Sequence, residues 1–349
     1  MKSRCALEEL EQVAPSIFVF GGAGYIGSHV CKALYQTGFH PVTIDNLSEG
    51  FRENVLFGPF HEMDLSDKNE IRKLFRQYKP LAVIHLAAFL SVAESVKNPS
   101  KYYTNNVEAT LSLLEVILEI GPLPVVFSSS AAVYGTALEC PIQETHPLNP
   151  LNPYGHTKKI IEQVLSDFKL AYGLPSVSFR YFNAAGADPD LELGPRRFKP
   201  FHLIPILVKT LATRQSQFEV YGCDYPTPDG SCIRDYVHVS DLASAHVKAV
   251  ERLLKGQNLP LAINLGTGKG YSVFEVHAAM ENVSGQKIPL VKALARPGDG
   301  ANLVASCQLA HEALQWQPKC SDLSTLCQSE WDWHCRLHQV SSRLPSGSA

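Results

Sequence analysis

Tyr154 and Lys158 stand four residues apart in Asn152-Pro153-Tyr154-Gly155-His156-Thr157-Lys158. On a helix that spacing puts both side chains on one face, with the ammonium near the phenol. A free phenol, with a pKa of about 10, is a poor base at neutral pH, and a nearby cation stabilises the phenolate and brings it toward the working range. Of the 13 tyrosines, Tyr154 alone has Lys at that interval. Upstream, Pro124-Val125-Val126-Phe127 runs into Ser128-Ser129-Ser130, where a hydroxyl can hydrogen-bond a substrate alcohol or the carbonyl it becomes. Serines after a strand also serve as plain caps, and Tyr-Lys pairs also decorate solvated helix faces. The chemistry therefore rests on both occurring with a nucleotide-binding turn. His156 falls on another helix face and reads as a surface residue.

That turn is Gly21-Gly22-Ala23-Gly24-Tyr25-Ile26-Gly27, entered from Ser16-Ile17-Phe18-Val19-Phe20 and followed by a helical pattern to Thr37-Gly38. Glycines there permit the tight turn, close approach of backbone to a pyrophosphate, and close packing of helix on strand. N–H groups at the helix start then face the anion. A second strand from His40 ends in Asp45, 18 residues after Gly27. An acid at that distance accepts hydrogen bonds from both ribose hydroxyls and repels a 2′-phosphate, which favours NAD over NADP.

These groups need a frame. Asp67 to Lys79 reads as a helix closed by Pro80, Leu81 to Ala88 as a near-continuous apolar strand of the kind buried on both faces, and Asn105 to Ile120 as a helix stopped by Gly121-Pro122. The alternation predicts an α/β fold with a doubly wound parallel sheet, whose ligands lie outside the carboxyl ends of the strands. The serine run falls there. From about Tyr181 onward Pro and Gly punctuate the chain, with a return to the sheet expected at 233–262. The last helical pattern, Ser321 to His338, carries Trp331 and Trp333 as packing residues.

Composition narrows the partners. A chain of 349 residues with 19% charged residues and a net charge of −3 has neither the basic patch nor the charge block that nucleic acid or an anionic membrane calls for. A small-molecule partner fits better. The nine cysteines are scattered without a C-x-x-C pair, so neither a zinc site nor a disulfide framework is signalled, and a reducing cytoplasm is expected. No run approaches the roughly 18 apolar residues of a membrane span, and residues 1–15 read as a charged N-terminal extension.

Gly21 to His29, Asp45-Asn46-Leu47, Glu94-Ser95-Val96, Tyr102 to Val107, Phe127 to Gly135, Asn152 to Lys158, Arg180 to Ala187, Tyr225 to Gly230 and Ile233 to Leu242 together resemble the UDP-glucose 4-epimerases, within the extended short-chain dehydrogenase/reductase family. The resemblance covers about residues 17 to 335. It implies a Rossmann sheet over 16–180, with the return at 233–262, and a smaller C-terminal α/β domain over 181–338 for a UDP-sugar. It implies NAD held at its pyrophosphate by Gly21, Gly24, Tyr25, Ile26 and Gly27, at its adenosine by Asp45, Asn46, Asp64 and Leu65, and along its nicotinamide half by Leu86, Ala87, Ala88, Asn105, Tyr154, Lys158 and Phe182. The sugar nucleotide would meet Ser130, Tyr154, Asn183, Leu203, Tyr221, Arg234, Arg296 and Asp299. Arginine forks suit a diphosphate.

The activity implied is interconversion of UDP-glucose and UDP-galactose, with Tyr154, Lys158 and Ser130 inverting C4 through a transient 4-keto sugar and NADH, in a cytoplasmic homodimer without a metal. Departures from the family pattern are Phe20 for Thr, Leu90 for a cofactor-contacting Lys, Ala132 for Thr, and Ser306-Cys307 for an Asp-containing segment. Leu303 aligns with a position on the far wall of the sugar pocket, where a branched side chain disfavours bulky N-acetyl groups. The alternatives are another NAD-dependent enzyme of UDP-sugars (an epimerase of UDP-GalNAc, a pentose or a uronate, a dehydratase, a decarboxylase) and a non-catalytic sugar-nucleotide-binding protein on the same fold. Ala131-Ala132, where a dehydratase needs acids, speaks against that reaction, and intact Ser130, Tyr154 and Lys158 speak against a silent protein.

Overall fold

Ser16–Phe20 is buried along its whole length, which requires strand neighbours on both edges and helices on both faces. The computed structural model, which describes residues 14–196, 200, 202–213, 217–296 and 300–341, provides both. The first half runs β1 (Ser16–Phe20), α1 (Tyr25–Gln36), β2 (His40–Asp45), β3 (Phe60–Glu62), α2 (Lys68–Tyr78), β4 (Ala82–His85), α3 (Val92–Lys97), α4 (Pro99–Tyr102), α5 (Ala109–Ile120), β5 (Val125–Ser130), α6 (Pro153–Tyr172) and β6 (Ser176–Tyr181). There follow β7 (Asn183–Ala185), α7 (Leu203–Thr213), β8 (Phe218–Tyr221), β9 (Ile233–His238), α8 (Val239–Leu254), β10 (Ala262–Leu265), β11 (Gly270–Ser272), α9 (Val273–Ser284), β12 (Leu290–Ala293), β13 (Asn302–Leu303), α10 (Gln308–Leu314) and α11 (Leu323–Ser341).

Among the described residues the main sheet has seven strands in the order β3-β2-β1-β4-β5-β6-β10, every pair parallel. The order reverses between β1 and β4, which opens a crevice at the carboxyl ends of the strands. Side chains of β1 alternate between two cores. Ile17 and Val19 pack with Val30 and Leu34 of α1 and Val250 of α8. Phe18 and Phe20 pack with Phe75 of α2, Leu113 of α5 and Ile161 of α6. Of the segment expected to return to this sheet, α8 lies on α1 and leads into β10, whereas β9 pairs with β7, β11 and β13 in a second sheet. A third core joins α7, α9 and α11 through Leu207, Met280 and Leu326. No helix among the described residues is long and apolar enough to cross a membrane.

Two elements differ from the sequence pattern. The apolar stretch Leu81 to Ala88 is strand only over Ala82–His85, because neighbouring strands pair there alone, and Leu86 to Ala88 turn out to line the crevice. The helix expected from Asn105 begins as a π-helical turn, Tyr103–Glu108. Asn106 explains the wide turn, since its side chain accepts from the Phe89 N–H at 2.9 Å and donates to the Phe89 carbonyl at 3.1 Å. Such bulges recur where a helix must aim a side chain at a site.

Buried charge ties the sheet to its helices. The Lys32 ammonium meets Asp188, Asp190 and Glu192 at 2.7, 2.7 and 2.9 Å, so the chain supplies its own cation to that acidic cluster. Arg180 of β6 pairs with Glu162 of α6 at 2.6 Å and donates to the Tyr134 hydroxyl at 2.9 Å. Removing one partner of a buried pair strands the other. Arg180→Ala is expected to lose about 3–5 kcal/mol in urea unfolding. The double change Arg180→Met with Glu162→Met should recover most of that loss.

Candidate active site

The turn after β1 can be built only with glycine. Gly21 has φ of +82°, and a Cβ at Gly27 would overlap the Gly21 carbonyl oxygen. Gly24 caps α1 without a side chain and the first turn of α1 holds no acid, which leaves its N–H groups for a ligand's anion. At the end of β2, Asp45 accepts from the Ala23 N–H at 3.0 Å and the Leu47 N–H at 2.9 Å. Burial raises its pKa against those two bonds. Asn46 donates to Asp64 at 2.8 Å, and Asp64 is held below the usual carboxylate range by the Ser66 hydroxyl. Glycine cradle, helix start and ribose-distance acid fit a dinucleotide.

A groove of about 1250 Å³ runs from this turn across the strand ends. That exceeds the roughly 300–1,000 Å³ of an ordinary ligand site and leaves room for two ligands end to end. It is bordered at the turn by Gly21, Gly24, Tyr25, Ile26 and Gly27, and at one flank by Asp45, Asn46, Asp64 and Leu65. Leu86, Ala87, Ala88, Asn105 and Phe182 line its middle, as do Ser130 and Tyr154. Leu90 and Ala132, two of the departures from the family pattern, line it as well.

The polar trio comes from β5 and α6. Asn152 caps α6 by accepting from the Gly155 N–H at 2.9 Å, and the missing side chain of Gly155 lets the helix press on the Ala132 carbonyl. Tyr154, 8% exposed, thereby faces the groove beside Ser130, while Lys158, 1% exposed, lies behind the lining. The Lys158 ammonium donates to the Ser128 carbonyl at 2.7 Å and sits 4.8 Å from the Phe127 ring and 5.8 Å from the Tyr154 ring. His85, below it, is held neutral by burial, with a pKa of about 3, and bonds Thr110 at 2.8 Å.

Burial governs both members of the pair. It lowers Lys158 to about 7, opposed by the Glu162 carboxylate one turn along α6. It raises the Tyr154 phenol above its ordinary value, opposed by the Ser130 hydroxyl. The sequence reading expects Lys158 to acidify the phenol; here burial is the larger influence, and the lowering contribution comes from the Ser130 hydroxyl.

At the other end of the groove, β9 and the segment after β12 deliver two arginines. Arg234 donates to the carbonyls of Ile233 and Gly300, both at 2.9 Å, and Arg296 lies 3.9 Å over the Tyr221 ring. Arg234, Arg296 and Asn183 border both the groove and a second pocket of about 620 Å³. Leu203 and Tyr221 line that second pocket rather than the main groove. Asp299 lies outside the described residues. Leu303 lines the groove and packs on Val133, Tyr134 and Ile142.

Residues that the sequence reading passed over hold this arrangement. Glu162 accepts from the Ser129 hydroxyl and from Arg180, which fixes the carboxylate beside Lys158. Its signal was the i, i+4, i+8 spacing of Tyr154, Lys158 and Glu162. Asn106 donates to Thr157 at 3.3 Å and so links the π-helical turn to α6. No local pattern announces that contact.

Residues 17–266 match the NAD dependent epimerase/dehydratase family. A UDP-glucose 4-epimerase of Rhizobium leguminosarum bv. trifolii is 46% identical over 324 residues, 93% of this chain and 98% of that protein. The crystal structure of UDP-glucose 4-epimerase from Brucella ovis in complex with NAD superposes with a TM-score of 0.88 at 45% identity, covering 91% of this chain and 98% of that one. The Bifidobacterium longum UDP-glucose 4-epimerase in complex with NAD⁺ and UDP gives a TM-score of 0.86 at 35% identity, over 92% of this chain and 98% of its own. Since the matched span carries the glycine turn, Asp45, the serine run and the Tyr154–Lys158 pair, the chain belongs to the NAD dependent epimerase/dehydratase family.

Proposed function

We propose that this chain is an NAD-dependent UDP-glucose 4-epimerase, interconverting UDP-glucose and UDP-galactose. The observation that carries the reading is one groove joining the glycine turn, the Tyr154 phenol and the two arginines. NAD, when bound, takes the hydride from sugar C4 and returns it, and its cationic ring favours the phenolate by charge attraction. Gly21, Gly24, Tyr25, Ile26 and Gly27 would hold its diphosphate, and Asp45, Asn46, Asp64 and Leu65 its adenosine. Leu86, Ala87, Ala88, Asn105, Phe182 and Lys158 would bind the nicotinamide half.

Tyr154 Oη removes the proton from the 4-hydroxyl and returns it to the same oxygen once the hydride has been delivered to the opposite face of the 4-keto carbon. Ser130 Oγ orients the oxygen that alternates between alcohol and carbonyl. Arg234 and Arg296, with Asn183, Leu203, Tyr221 and Asp299, anchor the nucleotide so that the hexose alone turns over. Residues 16–180 with α8 and β10 would then serve the cofactor and the rest of 181–338 the substrate. Leu303 crowds the sugar end and favours hexoses without an N-acetyl group. Two copies would pair through the exposed Val92, Val96, Tyr103 and Ile160 on neighbouring α-helical surfaces, in the cytoplasm.

Purified protein given UDP-galactose should yield UDP-glucose, identified by NMR. No inversion at C4 by a protein that binds NAD would overturn the reading. Tyr154→Phe should keep NAD and UDP binding by calorimetry while kcat falls about 10²–10⁴-fold, the usual contribution of a general acid/base. A variant with near-normal kcat would move the base elsewhere.

Lys158 has a separate signature. Its folded pKa of about 7 lies below the unfolded value, so between the two the unfolded chain binds the extra proton and stability rises with pH. Below pH 7 both states are charged and this contribution is flat. From pH 7 to 9 the nucleotide-free wild type should therefore gain on the order of 1–2 kcal/mol more than Lys158→Met in urea unfolding. Equal gains would show that the amine is not desolvated.

A further inference from the structure

The last helix grips the wall of the cofactor groove. From α11, Ser329 accepts from the Ala187 N–H at 3.0 Å, Glu330 Oε1 accepts from the Gly186 N–H at 2.9 Å, and Trp333 Nε1 donates to the Pro195 carbonyl at 3.0 Å. All three clip the connection between β7 and α7. The Gly186 carbonyl, in the next peptide unit, faces the glycine turn and accepts from the Tyr25 phenol at the head of α1, while that unit's N–H, from Ala187, goes to Ser329. Glu330 and Tyr25 thus hold the two sides of one residue, Gly186, and link α11 to the diphosphate end of the groove. The peptide has little room to move. Gly186 has φ of +86°, and a Cβ on it would overlap the His238 ring.

We propose that Glu330 is a positioning residue of the cofactor groove, acting through the backbone of Gly186 on Tyr25, and that the groove keeps its binding shape while this carboxyl is neutral. The inference rests on the NAD reading above. Glu330 is 2% exposed, and its second oxygen, Oε2, is buried without a partner. A carboxylate oxygen left in that state is costly, whereas a carboxylic acid is tolerated. Burial accordingly raises Glu330 to about 8, against the single bond from Gly186.

The surroundings do not titrate with it. On α1, Tyr25 stays well above its ordinary value, His29 is lowered to about 4, and Lys32 is locked to Asp188. On β9 and α11, burial lowers His238 and His334 and raises Cys327 to about 12. Arg196, over Trp333, remains a cation. Between pH 7 and pH 9 Glu330 is the group among these that changes charge. Ionised, it sets an unpaired negative charge behind the turn that must receive a diphosphate.

The test is the NAD dissociation constant of the full chain by calorimetry at pH 7 and pH 9, for wild type, Glu330→Gln and Glu330→Ala. Glutamine keeps an acceptor for the Gly186 N–H and cannot ionise. If NAD binding requires the neutral acid, proton linkage makes the wild-type constant about tenfold weaker than that of Glu330→Gln at pH 9 and nearly equal at pH 7. Glu330→Ala, which loses the acceptor, should bind more weakly than Glu330→Gln at both values. Taking the ratio to Glu330→Gln cancels the titration of Lys158. A wild-type to Glu330→Gln ratio that does not change between pH 7 and pH 9 overturns the inference while leaving the NAD reading intact. Absence of NAD binding by every variant at pH 7 overturns both.

Discussion

The desolvation of Lys158 constrains everything around it. An amine taken out of water must be given partners, and here it has one carbonyl, one aromatic face and a carboxylate one turn away. Those partners sit on β5 and α6, so the strand end and the helix start are locked in register, and Ser130 and Tyr154 inherit their positions from that lock. The Glu162–Arg180 pair extends it to β6, and the Tyr134–Asn264 bond at 2.6 Å extends it to β10. A general acid/base is effective only if it is held within hydrogen-bond reach of its proton. The buried amine is what holds Tyr154, the proposed acid/base, in place.

The electronic consequence runs against first intuition. Proximity of an ammonium and a phenol suggests mutual tuning, yet water exclusion acts on each separately and pushes both toward neutrality. The positive charge that favours phenolate would be supplied by the nicotinamide ring of bound NAD.

How much of this could be read in the sequence depended on distance along the chain. The glycine turn, Asp45, the serines and the Tyr154–Lys158 pair are local patterns with fixed offsets; all of them reach the groove except Lys158, which lies just behind its lining. The proposed sugar-nucleotide end draws on residues 183 to 303 from separate strands and loops, and needed a family resemblance to be proposed at all. Glu330 and its Gly186 partner are 144 residues apart, and a lone glutamate in a helical stretch reads as surface. The π-helical turn was equally hidden, because it follows from a side chain bonding a loop 17 residues back and not from helix propensity. Glu162 was within reach of periodicity and was passed over.

The central claim is that Tyr154 moves a proton at the sugar oxygen while the hydrogen on C4 stays out of solvent. UDP-galactose deuterated at C4, incubated with the protein in ordinary water, tests this directly. The account predicts that the UDP-glucose formed carries the deuterium at C4, observed by NMR and mass spectrometry. Product with hydrogen from water at C4 would mean that a base removes the carbon-bound proton, and would contradict the account.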